Sequence, residues 1–179
     1  YNYLKTSSDY ELSNISYRKK LTEDTVLLDI RNDAVFLKII EEIKPDIIIN
    51  CIGILINGSN KNPEDAIFIN ALMPHRLATL CNKIAAKLIH ISTDCVFSGM
   101  KKTPYIEKDE KDGRGFYAKT KGLGEIISDK HLTLRTSVVG PELKQNGEEL
   151  FHWFMSQVGT INGFTKSIWS GVTTLELAK

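Results

Sequence analysis

Short β-prone runs separated by stretches of helical periodicity constrain this chain more than any other feature. The runs are residues 26–30, 47–52, 88–91 and 132–136. After the first, Asp33 suits a helix cap, and Val35, Phe36, Ile39, Ile40 and Ile43 recur at helical spacing until Lys44-Pro45-Asp46 stops the helix. The second run is apolar on both faces, as a buried parallel strand should be. Residues 53–62, rich in Gly, Asn and Ser, read as a loop. Pro63 suits the first turn of a long helix running towards Lys87, and Pro74 should kink or divide it. A long polar connection over 92–114 leads to a helix over 116–127. Gly140-Pro141 then breaks the chain before an amphipathic helix over 148–157. The order β-α-β-α-β-α-β-α predicts an α/β fold, a doubly wound parallel sheet with helices on both faces. Ligands of such sheets bind at the carboxyl ends of the strands, here residues 29–30, 50–54, 92–97 and 136–140.

Composition narrows the function classes. With 179 residues, 42% of them hydrophobic, the chain can bury a sizeable core. Its 23 basic and 22 acidic residues nearly cancel, which gives no electrostatic argument for nucleic acid or an anionic membrane as partner. The longest apolar run, 47–56, is interrupted by Asn50 and too short to cross a bilayer, and no secretory leader is expected. Cys51, Cys81 and Cys95 are odd in number and lack CxxC spacing, so a reduced, cytoplasmic setting is the plain expectation. The 4 histidines, His75, His90, His131 and His152, are scattered, and no metal site is expected from them.

Tyr117-Ala-Lys-Thr-Lys121 places a phenol and an ammonium four residues apart, on one helix face that Lys119 cannot share. A phenol with its ordinary pKa near 10 exchanges protons poorly at neutral pH. A neighbouring ammonium favours the phenolate and pulls that value down by about 1–3 units. Such a pair suits protonation of a carbonyl oxygen while hydride arrives from a cofactor. The spacing alone is not distinctive, because Tyr1 and Lys5 repeat it, and packed Tyr with solvated Lys is the ordinary outcome. Context adds weight. Ser92-Thr93-Asp94 follows the strand 88–91 directly, where a hydroxyl can hydrogen-bond the oxygen that Tyr117 protonates. The plain role for that triplet is a turn or cap.

With these residues assembled, the chain resembles the extended short-chain dehydrogenase/reductases, and within them the dTDP-4-dehydrorhamnose reductase family and related nucleotide-sugar reductases. The stretches that carry the resemblance are residues 28–30, 44–51, Asn70-Ala71, Ser92-Thr-Asp-Cys-Val-Phe97, Tyr117-Ala-Lys-Thr-Lys121 and 134–137. The segment 168–178 is similar to a subgroup associated with surface-polysaccharide sugars. The resemblance implies a Rossmann-like domain over 1–145 and the start of a smaller substrate domain over 146–179. It implies that Thr93 hydrogen-bonds the substrate carbonyl, that Tyr117 is the acid, and that Lys121 tunes it and holds the nicotinamide ribose. Asp29 and Ile30 would lie against the adenine, and Ile52, Gly53, Ile54 and Ser92 would line the cofactor channel. Thr136 and Ser137 would approach the nicotinamide end, with Asp94 and Val138 at the substrate. The implied cofactor is NADP(H), with NAD(H) as the alternative, and a homodimer is compatible.

Departures from the family bear on the sugar. Cys95 stands where Tyr is frequent, Ala118 where Gly is frequent, and Val138 where an aromatic residue contacts sugar. Cys95 as a nucleophile has no nearby histidine in sequence to support it. The family's opening strand and Gly-rich phosphate loop have no counterpart, since the glycines begin at Gly53, so the expectation is a fragment of a longer enzyme. The implied activity is reduction of a nucleotide-linked 4-keto-6-deoxy sugar in polysaccharide precursor synthesis. A non-catalytic NADP-binding subunit, similar to the regulatory subunit of methionine adenosyltransferase, is the second reading. A nucleotide-sugar epimerase or dehydratase is the third, although Asp94-Cys95 lacks the Asp-Glu pair of dehydratases. Asn70 is expected to bridge backbone groups, and Phe151, Trp153 and Phe154 to join a core.

Overall fold

The computed structural model describes residues 1–7, 10–142, 147 and 149–179. The chain opens with a short helix, α1 (Asn2–Ser7). Strand β1 (Ile15–Ser16), marked by no β-prone run, pairs in parallel with β2 (Val26–Leu27). The run expected to be a strand through residue 30 leaves the ladder early. Its Leu28 N–H still donates to Ser16 O at 2.9 Å, and Ile30 turns into the core.

Helix α2 (Asp33–Ile43) has Asn32 at its N-cap, so Asp33 stands one position inside the expected cap. There its carboxylate faces the positive end of the helix and pairs with Arg76. Lys44 closes the helix in the left-handed region, at φ 48°, and Pro45 cannot continue it.

Strands β3 (Ile47–Asn50), β4 (Lys87–Ile91) and β5 (Leu132–Leu134) form a parallel sheet in the order β3-β4-β5. Ile48 stands opposite Leu88, and Asn50 opposite His90. These residues face inward, where α2 and the helix before β4 bury Phe36, Ile40, Met73, Leu77, Leu80 and Cys81 with Leu88. Burial on both faces of β3 is not found. The side chains alternate, and Ile47 and Ile49 on the other face are 50% and 48% exposed.

The connection from β3 to β4 departs twice from expectation. Helix α3 (Ile56–Lys61) forms inside the expected loop. Tertiary contact overrides its poor helix formers: Ser59 is fully buried and its Oγ donates to Ile54 O at 2.9 Å. Pro63 opens α4 (Pro63–Ala66) in the first turn, as its missing N–H favours. A π-helical segment, Ile67–Leu72, then leads into α5 (Met73–Lys83). Pro74 explains the widened turn, since its ring would strike the carbonyl of residue 70 in a regular α-helix. Helix α6 (Phe116–Leu123) stops short of the expected end at 127. Beyond it, Thr133 Oγ1 bonds both the N–H and the carbonyl of Ile126, at 3.1 Å each, and ties the chain to β5.

Residues 13–135 make one compact unit, and residues 1–12 with 136–179 make another. In the second, β6 (Val138–Val139) pairs in parallel with β7 (Val172–Thr173). It also holds α7 (Leu150–Met155) and α8 (Thr174–Ala178), the latter capped by Thr173 Oγ1, which accepts from Glu176 N at 3.1 Å. Helix α7 lies within the expected 148–157, and residue 148 is outside the described residues, as is the expected domain boundary at 145/146. Phe151, Trp153 and Phe154 are exposed rather than core, at 39%, 48% and 58%. Among the described residues every strand pair is parallel, and no helix is long and apolar enough to cross a membrane.

Candidate active site

Strand β4 ends at Ile91, and its pairing with β5 is prolonged by Ser92, whose N–H donates to Leu134 O at 2.8 Å. Thr93 continues extended, and its Oγ1 accepts from Cys95 N at 3.2 Å, capping a one-turn 3-10 helix, Asp94–Val96. The turn role considered for Ser92-Thr93-Asp94 is therefore real, and Thr93 is buried while it serves.

Helix α6 packs on that turn and on the π-helical segment. Both approaches depend on glycine. A Cβ at Gly113 would stand 2.6 Å from Cys95 O and 2.8 Å from Ala118 Cβ. One at Gly124 would stand 2.0 Å from the carbonyl oxygen of Asn70. Neither position accommodates a side chain without displacing backbone.

The face expected to carry chemistry points inward. Lys119 is exposed, whereas Lys121 is 4% exposed and its Nζ donates to Ile91 O at 2.7 Å. Burial pushes the Lys121 ammonium down to about 8, with the charges of Glu125 and Cys51 acting in the other direction. Tyr117, half-buried, lines a cavity of about 270 Å³ with Ile56, Asn60, Cys95, Phe97 and Arg114. A phenol at a cavity wall, with an ammonium one turn further on, can deliver a proton to a group held in that cavity.

The loop after β3 meets the same corner. The position that a Cβ of Gly53 would take lies 3.9 Å from Lys121 Nζ and 3.5 Å from Asn70 Oδ1. Asn70 is fully buried and clamps Ile54 from both sides: its Nδ2 donates to Ile54 O at 2.9 Å, and its Oδ1 accepts from Ile54 N at 2.8 Å. The same Nδ2 lies 3.3 Å from Thr120 Oγ1 on α6, so Asn70 bridges backbone as its residue type suggested. Below it, Asn50 Nδ2 lies 3.1 Å from His90 Nδ1, and Asn50 Oδ1 accepts from Ile52 N at 3.1 Å. Burial, reinforced by the Lys121 charge, pushes His90 down to about 4, so this imidazole is neutral at physiological pH.

The other expected residues lie as follows. Asp29 is paired with Arg31, which holds its carboxyl below the usual range, and Arg31 also reaches Asp65 and the Tyr17 hydroxyl at 3.0 Å each. Ile30 belongs to the core. Thr136, Ser137 and Val138 belong to the other compact unit, where Ser137 Oγ accepts from Trp169 Nε1 at 2.8 Å and Val138 pairs with Val172.

Sequence reasoning missed Glu125. Its carboxylate, 4% exposed, accepts from Arg135 Nε at 2.8 Å and Nη2 at 2.7 Å, from Ser92 Oγ at 2.9 Å, and stands 3.3 Å from Lys111 Nζ. Burial pushes this carboxyl up, but the hydrogen bonds and charges of Arg135, Ser92 and Lys111 outweigh it and hold the group below its ordinary value. The available signal was an acidic residue four positions beyond Lys121, a spacing that continues its helix face.

Known proteins resemble this chain in sequence and in fold. The family model of the RmlD substrate binding domain matches residues 8–161. The dTDP-4-dehydrorhamnose reductase of Mycobacterium tuberculosis is 39% identical over 85 residues, 45% of this chain and 28% of its own length. The crystal structure of a hypothetical dTDP-4-dehydrorhamnose reductase from Sulfolobus tokodaii superposes with a TM-score of 0.69 at 27% identity, over 77% of this chain and 52% of that one. The dTDP-4-dehydrorhamnose reductase of Bacillus anthracis in complex with NADP does so with a TM-score of 0.58 at 25% identity, over 74% and 56%. The matched part is thus about half the length of these solved relatives and under a third of the curated one. A match reaching from residue 8 to residue 161, over a parallel sheet that these structures share, means that the chain belongs to the RmlD substrate binding domain family.

Proposed function

We propose that this protein reduces a nucleotide-linked 4-keto-6-deoxy sugar, with NADP(H) as cofactor, in the synthesis of a polysaccharide precursor. The observation that carries the proposal is Lys121, buried beneath the helix that presents Tyr117 to a cavity and tied to the carbonyl just before Ser92 and Thr93. A buried ammonium in that position is costly, and its chemical use is to stabilise a phenolate. The names of the relatives, and the NADP held by one of them, supply the substrate class and the cofactor.

The residues present suit two ends of such a cofactor. With no side chain at Gly53, the backbone at the end of β3 comes close to Lys121 Nζ, on the side assigned to the ribose hydroxyls. Asp29 stands just past the end of β2, the position assigned to the adenine, while Ile30 beside it is buried in the core. No glycine precedes Gly53, so this sequence contributes no glycine-rich cradle for the pyrophosphate. When bound, NADP(H) supplies the hydride. Tyr117 donates its phenolic proton to the carbonyl oxygen as charge gathers there, and C=O becomes CH–OH. Thr93 donates a hydrogen bond to the same oxygen, with Asp94 assigned to the sugar. Lys121 balances the phenolate until a proton returns from solvent. A homodimer and a cytoplasmic location accompany this proposal.

The test is transfer of deuterium from 4-deuterated NADPH to the product. A dTDP- or UDP-linked 4-keto-6-deoxy sugar should gain deuterium at the reduced carbon, read by mass spectrometry. Tight NADPH binding without transfer would replace the reductase with the binding-only reading.

A further inference from the structure

Glu125 takes no part in the chemistry described, yet it is the most fully engaged charged group near it. It follows α6 directly, four residues beyond Lys121, and Gly124 between them keeps right-handed helical backbone at φ −80° and ψ −3°. The carboxylate gathers three hydrogen bonds and an ion pair from three segments: one bond from Ser92 at the end of β4, two from Arg135 after β5, and the ammonium of Lys111 from the long connection. Arg135 extends the unit outward. Its Nη1 donates to Glu107 O at 3.0 Å, and its guanidinium lies 4.9 Å from the centre of the Phe97 ring, which stacks on Tyr105. Lys111 also donates to Gly122 O on α6 at 2.5 Å.

Stability alone does not call for such a unit. A buried ion pair is often no better than well-packed apolar residues of the same volume, because desolvation cancels most of the attraction. What an apolar pair cannot supply is a hydrogen bond to Ser92 and a fixed negative charge beside Lys121. Ser92 is held from both sides, its N–H by Leu134 O and its hydroxyl by Glu125, and the next residue is Thr93.

We propose that Glu125, locked by Arg135, is a positioning residue for the Thr93, Tyr117 and Lys121 group. Through Ser92 it sets where the Thr93 hydroxyl stands, and its charge supports the Lys121 ammonium. The titratable groups whose charges bear on Lys121 are Glu125, and Cys51 just after β3, while His90 on β4, held neutral, feels the Lys121 charge. Glu125 is the carboxylate among them, so its removal should release Lys121's proton at lower pH.

The inference rests on the reductase proposal for its purpose, but the first experiment does not require turnover. An NMR titration of lysines labelled at Cε, with Lys121 assigned through Lys121→Arg, compares the protein with its Glu125→Gln variant. The Lys121 midpoint should fall by about one unit in the variant. An unchanged midpoint overturns the proposal, whatever becomes of the reductase reading. Ser92→Ala removes a single hydroxyl and remains informative even if Glu125→Gln does not fold. In protein that oxidises NADPH it should lower kcat about tenfold and leave the Lys121 midpoint in place. Unchanged kcat, or loss of thermal stability with no change in kcat, would reduce the cluster to a structural tie and overturn the proposal.

Discussion

At the scale of single residues, the site turns on a lysine removed from water. Lys121 is charged below about pH 8 and neutral above it, because burial favours the uncharged form. A reaction that needs the ammonium should therefore keep its rate below pH 8 and lose it as pH rises beyond. A rate profile of NADPH oxidation between pH 6 and 10 checks this, and a flat profile would separate Lys121 from the chemistry. Replacing Lys121 with Ala should weaken cofactor binding and also lower turnover by roughly a hundredfold, measured by fluorescence titration and steady-state kinetics. Tyr117, Lys121 and Thr93 were legible in the sequence because each follows from spacing or from its place after a β-prone run. Glu125 and Arg135 were not. Their partners, Ser92 and Lys111, are distant in sequence and meet only when β4, β5 and the long connection fold together. Ile47 and Ile49 show the opposite limit, since an apolar run does not say which of its faces will be covered.

At the scale of elements, the site depends on close approaches that periodicity does not report. The π-helical turn before Pro74 sets Asn70, whose side chain holds the Ile54 backbone and whose carbonyl meets Gly124. Pro74 made an irregularity predictable, but not its form. Asn70→Ala should leave the Ile54 N–H unpaired and its carbonyl with Ser59 Oγ alone, and cost about 1–3 kcal/mol in urea unfolding. Gly124→Ala should cost a similar 1–3 kcal/mol by forcing α6 away from the π segment. His90 gives a further check within the sheet. Its folded pKa of about 4 lies below the ordinary 6.5, so the unfolded chain takes up the proton first as pH falls. Stability from this group is complete above about 6.5 and is lost as pH drops towards 4, by an amount on the order of 3 kcal/mol. The imidazole resonances of His90 should titrate near 4, and a midpoint near 6.5 would contradict its buried pairing with Asn50. Helix α3 and strand β1 were illegible for a common reason. Residues 57–60 have poor helix propensity, and β1 spans only 2 residues, so tertiary contact decides both.

At the scale of the whole molecule, the alternation of strand and helix carried the class of the fold and the parallel sense of its strands. It also located the strand ends, which is where Gly53, Thr93 and Lys121 come to lie. The division into units after residue 135 falls shortly before the Gly140-Pro141 break, and charged residues become sparser beyond it. The proposed function rests on what α6 sets against β4: a phenol at a cavity wall, and a buried ammonium one turn further on. The measurement that tests this most directly is NADPH affinity and NADPH oxidation in Tyr117→Phe beside the unaltered protein, with a nucleotide-linked 4-keto-6-deoxy sugar as substrate. The account predicts unchanged NADPH affinity and turnover lower by about a hundredfold or more, because the ring remains and only the transferable proton is gone. Equal turnover in the two proteins would contradict it.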